Sequence, residues 1–390
     1  MKKLTLWILV LSILVCCFSG CASDGSETTE APDTAEAPTL PVFSCKVAMI
    51  SDYGDITSEE FPRLIYETGR DWCAKYDIPY TYYIPAEDST AERTASVEQA
   101  IREGANVLLL PGYRFGELIC ESAELYPDVY FIALDVTMSD IIGWDSEETV
   151  LPPNVVAFTY REEIAGFLAG YAAVKMGYSD LAFIGYIPVP AVVRYGFGFV
   201  QGADYAAKES AIYANMKYGY VQCFCGLEQN HPLGQVDTWF REGLDAAFFF
   251  NEHLYTHMSD FDRPYDMKII VADKHQSESV DGLFGEGTFL TAAMKNYSAT
   301  VSWALSKLIL EGDWDSLGGT LSNLGLVSST ELEKNHVSLS DSTQWNESFT
   351  KEDYAAIVEA ILTGSVTVDD SIECLPRTSN LTIADMVFLD

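Results

Sequence analysis

From residue 46 onward, short unbroken apolar runs alternate with stretches in which apolar residues recur at helical spacing, and this alternation is the feature that most restricts the fold. Lys46 to Ile50, Val107 to Leu110 and Val129 to Leu134 are too short for stable helices and carry apolar residues on both faces, the pattern of strands inside a parallel sheet. Between them, Phe61, Leu64, Ile65, Thr68 and Trp72 share one helical face, and Pro62 falls in the first turn, where its missing N–H costs nothing. Residues 91–103 form a second helix through Val97, Ala100 and Ile101, closed by Gly104. The order β-α-β-α-β predicts a doubly wound parallel sheet. The pattern restarts at Val155 to Phe158. A helix from Arg161 to Met176 follows, with Ala165, Gly166, Ala169, Gly170, Ala172 and Ala173 offering a close-packing face. Strands at 181–185, 221–224, 246–250 and 268–272, then helices at 297–311 and 351–363 around a turn at Gly318-Gly319, complete a second unit. Two such units in sequence predict two lobes.

The N-terminus reads differently. Met1-Lys2-Lys3, the apolar run Leu4 to Phe18 and the small pair Ser19-Gly20 lay out a secretory signal, too short to span a bilayer comfortably. Ending on Cys21, it resembles a bacterial lipoprotein signal over residues 1–20, in which Cys21 receives lipid and anchors the protein on the extracytoplasmic face of the cell membrane. Residues 21–43 are rich in Ser, Thr, Ala, Pro, Asp and Glu and are expected to be a disordered tether. The remaining chain of about 350 residues is large enough for two medium domains.

A net charge of −35 argues against nucleic acid and against adsorption to anionic lipid, leaving the lipid on Cys21 as the expected membrane contact. Of nine cysteines, Cys16, Cys17 and Cys21 belong to the signal and its end. Cys45, Cys73, Cys120, Cys223, Cys225 and Cys374 are scattered over a chain that does not need staples, and the sequence assigns them no pairing. Cys73 and Cys120 read as buried helix positions. The five histidines include His253 and His257 at helical spacing, but no further ligand completes a zinc site, so neither metal nor cofactor is expected. No nucleophile elbow, phosphate loop or dinucleotide fingerprint stands at a strand–helix junction.

In open parallel sheets, ligands bind beyond the carboxyl ends of the strands. Those positions hold Ser51-Asp52-Tyr53-Gly54-Asp55, Pro111-Gly112-Tyr113-Arg114-Phe115, Tyr186 with Arg194 to Phe199, Asn251-Glu252-His253, and Asp273-Lys274-His275. Aromatic rings supply flat apolar walls, and the carboxylates, amides and amines read hydroxyls and ring nitrogens, so a small polar ligand between aromatic plates is expected.

The stretch Ile50 to Ile56 with Phe61, the segment Asn154 to Met176 with Arg161-Glu162-Glu163, Pro190 to Tyr205 (PAVVRYGFGFVQGADY), Leu290-Thr291 with Lys295, and Gly319 to Leu326 resemble, in order, motifs of the basic membrane protein family. These are substrate-binding lipoproteins of ABC importers, typified by purine nucleoside receptors. The resemblance covers residues 44–368. It implies a type I periplasmic-binding-protein fold, two doubly wound parallel-sheet lobes joined by a three-strand hinge, with lobe one at 44–154 plus 276–316 and lobe two at 155–275 plus 317–390. The implied protein is a monomeric receptor that closes on a nucleoside-like ligand and docks on permease subunits.

Residue by residue, the resemblance gives Phe61 a stacking role, Asp52 a polar contact beside it, and Asp273 and Lys295 the ribose hydroxyls. Tyr195 or Phe197 would supply the second plate, with Tyr113, Glu117 and Asn251 completing the expected site. Departures stand at Pro62, where the family has Asn, at Glu117 and His275, each in place of an Asp, and at Asn251-Glu252-His253 in place of a Gly-rich turn. Two other readings use the same residues. One is a receptor for a signalling partner without transport; the other is an extracellular nucleoside hydrolase employing Asp52, Asp55 and Glu117. A receptor needs no catalytic group, and a non-enzyme is the expectation.

Overall fold

The computed structural model describes residues 41–54, 56, 60–142, 150–221, 231–250, 252–261, 266–272, 277–383 and 387–389. The expected signal, Cys21, most of the tether, and Cys223-Phe224-Cys225 lie outside them. The first part of the chain runs β1 (Val47–Ile50), α1 (Glu60–Lys75), β2 (Tyr80–Tyr83), α2 (Thr90–Arg102), β3 (Val107–Pro111), α3 (Gly116–Leu125), β4 (Tyr130–Leu134), α4 (Met138–Ile142) and β5 (Val155–Tyr160). Then come α5 (Glu162–Lys175), β6 (Asp180–Gly185), α6 (Pro190–Glu209), β7 (Ala214–Val221), α7 (His231–Arg241), β8 (Ala246–Phe249), α8 (Glu252–Thr256), β9 (Lys268–Ala272), α9 (Ser277–Phe284) and β10 (Phe289–Lys295). The last part holds α10 (Tyr297–Leu305), continued by a π turn at Ser306–Leu310, then β11 (Thr320–Leu324), β12 (Val337–Leu339), α11 (Lys351–Leu362), β13 (Leu381–Ile383) and β14 (Val387–Leu389).

Two sheets result. The first has the order β11-β5-β4-β3-β1-β2 and is parallel throughout. The second has the order β12-β10-β9-β8-β6-β7-β13, with β14 also on β7, and every pair in it is parallel except β10 with β12. Strands β1, β3, β8 and β9 are almost wholly buried, as their unbroken apolar runs require. This is a type I periplasmic-binding-protein fold.

Sheet membership differs from the expected lobe boundaries at three strands. Val155 to Phe158 was expected to open lobe two, yet β5 pairs with β4 in the first sheet. β11 joins the first sheet beside β5, and β10 joins the second beside β9, each in the sheet opposite to the one expected. β5 and β10 are largely apolar and suit either sheet, while β11 (TLSNL) is a partly exposed edge strand whose sequence favours neither; the chain changes lobes only beyond their carboxyl ends. It crosses at Arg161, at Asn296 and between Leu324 and Val337. The crossings are bonded to one another: Arg161 N–H donates to the Leu324 carbonyl (2.9 Å), His336 N–H to Gly325 (3.0 Å) and Asn296 N–H to His336 (2.8 Å).

Helices α5 and α6 form the tightest contact of the second lobe. A Cβ on Gly166 or Gly170 of α5 would run into the Tyr195 or Phe199 carbonyl of α6, and one on Gly198 or Gly202 would run into the Glu163 or Phe167 carbonyl of α5. Four glycines, spaced one turn apart on each helix, therefore let two backbones touch. Residues 162–174 of α5 are all buried, so a helix apolar nearly all round is stable there. Elsewhere, caps fix the helix starts: Ser89 accepts from Glu92 N–H, and Thr350 with Asp353 closes a capping box at α11.

Candidate functional site

The carboxyl ends of β1, β3, β4, β5 and β10 and the first turns of α1, α5, α6 and α10 converge where the chain crosses between lobes. Lys295, the last residue of β10, is 4% exposed. Its Nζ donates to the two Asp135 carboxylate oxygens (2.9 and 3.2 Å) and stands 3.3 Å from Glu162 Oε1. Glu162, at the start of α5, accepts through Oε2 from Arg194 Nε at 2.6 Å. The Tyr297 hydroxyl donates to Asp135 Oδ2 (3.3 Å). An alternating chain Arg194–Glu162–Lys295–Asp135 thus crosses from α6 of the second lobe to the loop after β4 of the first, and its four charges cancel. Asp135 holds φ at 61°, a left-handed backbone uncommon for a residue with a side chain. Removing either partner of the alternating chain's buried central pair, Lys295 and Glu162, leaves an uncompensated charge.

Beside this floor stands an aromatic wall. Phe61, in the first turn of α1, packs on Tyr297 with ring centroids 4.6 Å apart, and Tyr297 meets the edge of Tyr160 at 5.2 Å. Gly112, with φ of 99°, turns the β3 loop past the Phe61 ring. On the first lobe's rim, Asp88 pairs with both Arg93 (2.9 Å) and Arg114 (3.0 Å), and Arg114 lies 3.8 Å from Asp52. Tyr113 is 62% exposed there, under the Arg114 guanidinium.

At the hinge itself, Arg161 Nε bonds Glu163 Oε1 (2.7 Å), and burial pushes the Glu163 carboxyl above its usual range against that partner. His336 bonds the Thr300 hydroxyl through Nδ1 (2.9 Å), and burial pushes its imidazole down to about 4. A groove of about 1320 Å³ runs between α10 and the β12–α11 region, reaching Lys295 at one end.

Residues 46–222 match the model of the Bmp family, described as ABC transporter substrate-binding protein PnrA-like. Basic membrane protein A1 of Borrelia garinii subsp. bavariensis is 26% identical over 246 residues, 63% of this chain and 63% of its own length. Over these residues the chain is similar to the basic membrane protein family. Its alignment spans less than two thirds of that relative, and Lys295 lies beyond the segment that the family model matches. Among solved structures, an ABC transporter solute-binding protein from Conexibacter woesei superposes with a TM-score of 0.62 at 18% identity, covering 84% of this chain and 99% of its own. A solute-binding protein from Aeropyrum pernix gives 0.53 at 17%, covering 84% and 88%. At such identities the likeness concerns the fold.

Against that family pattern, the structure brings Phe61 and Lys295 together across the hinge, joined through Tyr297 and Asp135. Asp52 and Tyr113 lie on the first lobe's rim. Glu117 is exposed and accepts from the Thr90 hydroxyl. Tyr195 and Phe197 are placed differently from expectation. Tyr195 is fully buried between Phe248 and Phe250, and Phe197 is 4% exposed beside Tyr218. Both rings belong to the second lobe's core: in the Gly-aromatic segment, Gly198 and Gly202 serve the α5–α6 contact and Gly196 makes room for Tyr218 and Phe183. Asn251, Asp273 and His275 lie outside the described residues. Asp135, Glu162 and Tyr297 enter the site although the sequence reading did not select them, and Arg194, one of the strand-end residues, enters it without having been given a role. The strand-end rule, applied to the run Val129 to Leu134, points straight at Asp135.

Proposed function

We propose that this protein is an extracytoplasmic receptor that captures an uncharged, hydroxyl-bearing small molecule of the nucleoside class between two closing lobes and presents it to an ABC permease. The observation that carries this reading is the pairing of Phe61 and Tyr297 with the charge-balanced chain Arg194–Glu162–Lys295–Asp135 at the crossing between lobes. An aromatic wall suits the flat face of a base, and fixed ammonium and carboxylate groups suit ribose hydroxyls, which both donate and accept. The cancelled charge disfavours a net anion. Three bonded crossings provide a hinge, so a ligand touching both lobes stabilises the closed form by its extra contacts there.

The test is a thermal-shift screen of the purified protein against nucleosides, nucleobases, sugars and amino acids. A ligand at 100 times its Kd adds about 2.7 kcal/mol of stability. A rise with nucleosides alone supports the reading; a rise with sugars or amino acids alone replaces the ligand class. We also propose that lipid on Cys21 anchors the protein. Labelled palmitate fed to cells expressing the wild type should enter the protein, and Cys21→Ser should abolish the incorporation.

A further inference from the structure

Lys295 is the group on which the proposed cleft turns, and carboxylates from other elements hold its ammonium. Its Nζ lies between a half-exposed carboxylate of the first lobe, Asp135, and a buried one of the second, Glu162; the two side chains are 28% and 2% exposed. Glu162 divides its oxygens, Oε1 toward Lys295 and Oε2 to Arg194 Nε at 2.6 Å. A Glu162 rotamer that released Lys295 would also break the Arg194 bond, so Arg194 fixes the carboxylate that fixes the lysine. Among the described residues, the Tyr297 hydroxyl on Asp135, the Tyr160 ring 5.8 Å away and the neighbouring Arg161–Glu163 pair also lie around the ammonium.

We propose that Glu162 and Arg194 are positioning residues for Lys295. They hold its ammonium charged and aimed across the hinge, and the balance they complete tunes the site for neutral ligands over phosphorylated ones. The first part stands on the geometry alone; the selectivity rests on the receptor reading above. A carboxylate beside a buried ammonium favours its charged form, and a second cation one step behind opposes it. Glu162→Gln and Arg194→Gln therefore act in opposite directions.

The first experiment needs no ligand. Lysine side chains labelled with ¹³C at Cε are titrated by NMR in the full-length wild type, Glu162→Gln and Arg194→Gln. Glu162→Gln should bring the Lys295 midpoint down by about one pH unit or more, while Arg194→Gln should not lower it. The second compares binding of inosine and inosine 5′-monophosphate. Glu162→Gln, which leaves the site more positive, should move the affinity ratio about tenfold toward the monophosphate, and Arg194→Gln should move it the other way. A merely structural role would weaken both ligands alike and leave the ratio unchanged. An unmoved Lys295 midpoint in Glu162→Gln, or a fall of equal size in both variants, overturns the positioning role. Should Glu162→Gln fail to fold, the Arg194→Gln ratio decides: a shift away from the monophosphate upholds the proposal and an unchanged ratio overturns it. Wild type that binds neither compound sinks the nucleoside reading and the selectivity with it, while the lysine titration still decides the positioning.

Discussion

Phe61 shows how one side chain ties local sequence to the site. Pro62 behind it fixes the first turn of α1, Gly112 opens space in front of it, and Tyr297 backs its ring at 4.6 Å. If a base stacks there, Phe61→Ala should weaken nucleoside binding by about 1–3 kcal/mol, measured by calorimetry. Equal affinities in the two proteins would remove Phe61 from the ligand contacts. The same comparison shows what was legible. Phe61 and Lys295 were found by resemblance, and Asp135 was within reach of the strand-end rule. Arg194 stood among the strand-end residues without a role, and Glu162 was not legible, because a carboxylate in a helix first turn reads equally well as solvated. Only its distances to Lys295 and to Arg194 separate the two readings.

Among the elements, the central strands β1, β3, β4, β5, β6, β8 and β9 were legible as apolar runs, whereas β2 and the strands from β10 onward were not read, and the run expected at 221–224 meets only the last residue of β7 (Ala214–Val221). The allocation between sheets was not legible, because β5 and β10 suit either sheet, β11 is a polar edge strand with no apolar run to mark it, and the lobe changes lie in the residues after them. The segment PAVVRYGFGFVQGADY illustrates a different ambiguity. Its aromatics suggested plates for a ligand, yet its glycines are spaced for helix contact, and the rings fill the core on the other side. Gly185 and Gly196 make room there for the bonded pair Tyr220 and Tyr218, whose hydroxyls lie 2.9 Å apart. Gly198→Ala tests the helix contact. Its methyl would meet the Glu163 carbonyl, backbone that cannot rotate aside, so α5 and α6 must separate. Overpacking of this kind costs about 1–3 kcal/mol, and the midpoint of urea unfolding should fall accordingly. Gly234→Ala, a position with open space around it, serves as the control; equal midpoints for both variants would refute the close-contact account.

For the molecule as a whole, the hinge joins folding to function, and His336 is where the two meet. Its backbone links two crossings, accepting from Asn296 and donating to Gly325, while its ring bonds Thr300 of α10 and meets Trp303 edge-on at 5.3 Å. Burial holds the imidazole at about 4, below the ordinary value of 6.5. The unfolded chain therefore takes up a proton at a higher pH than the folded one. The resulting stability is fully present above about 6.5 and is lost as the pH falls toward about 4, an effect on the order of 3 kcal/mol across that window. Carboxylates titrate over part of the same range in a chain of net charge −35, so the informative quantity is a difference between two proteins. His336→Gln keeps a polar side chain at the hinge but does not titrate. The melting temperature of the wild type, minus that of His336→Gln, should shrink as the pH is lowered from 7 to 4. Parallel curves would mean that the ring takes its proton without strain, and that the hinge tolerates a charge where its three crossings meet.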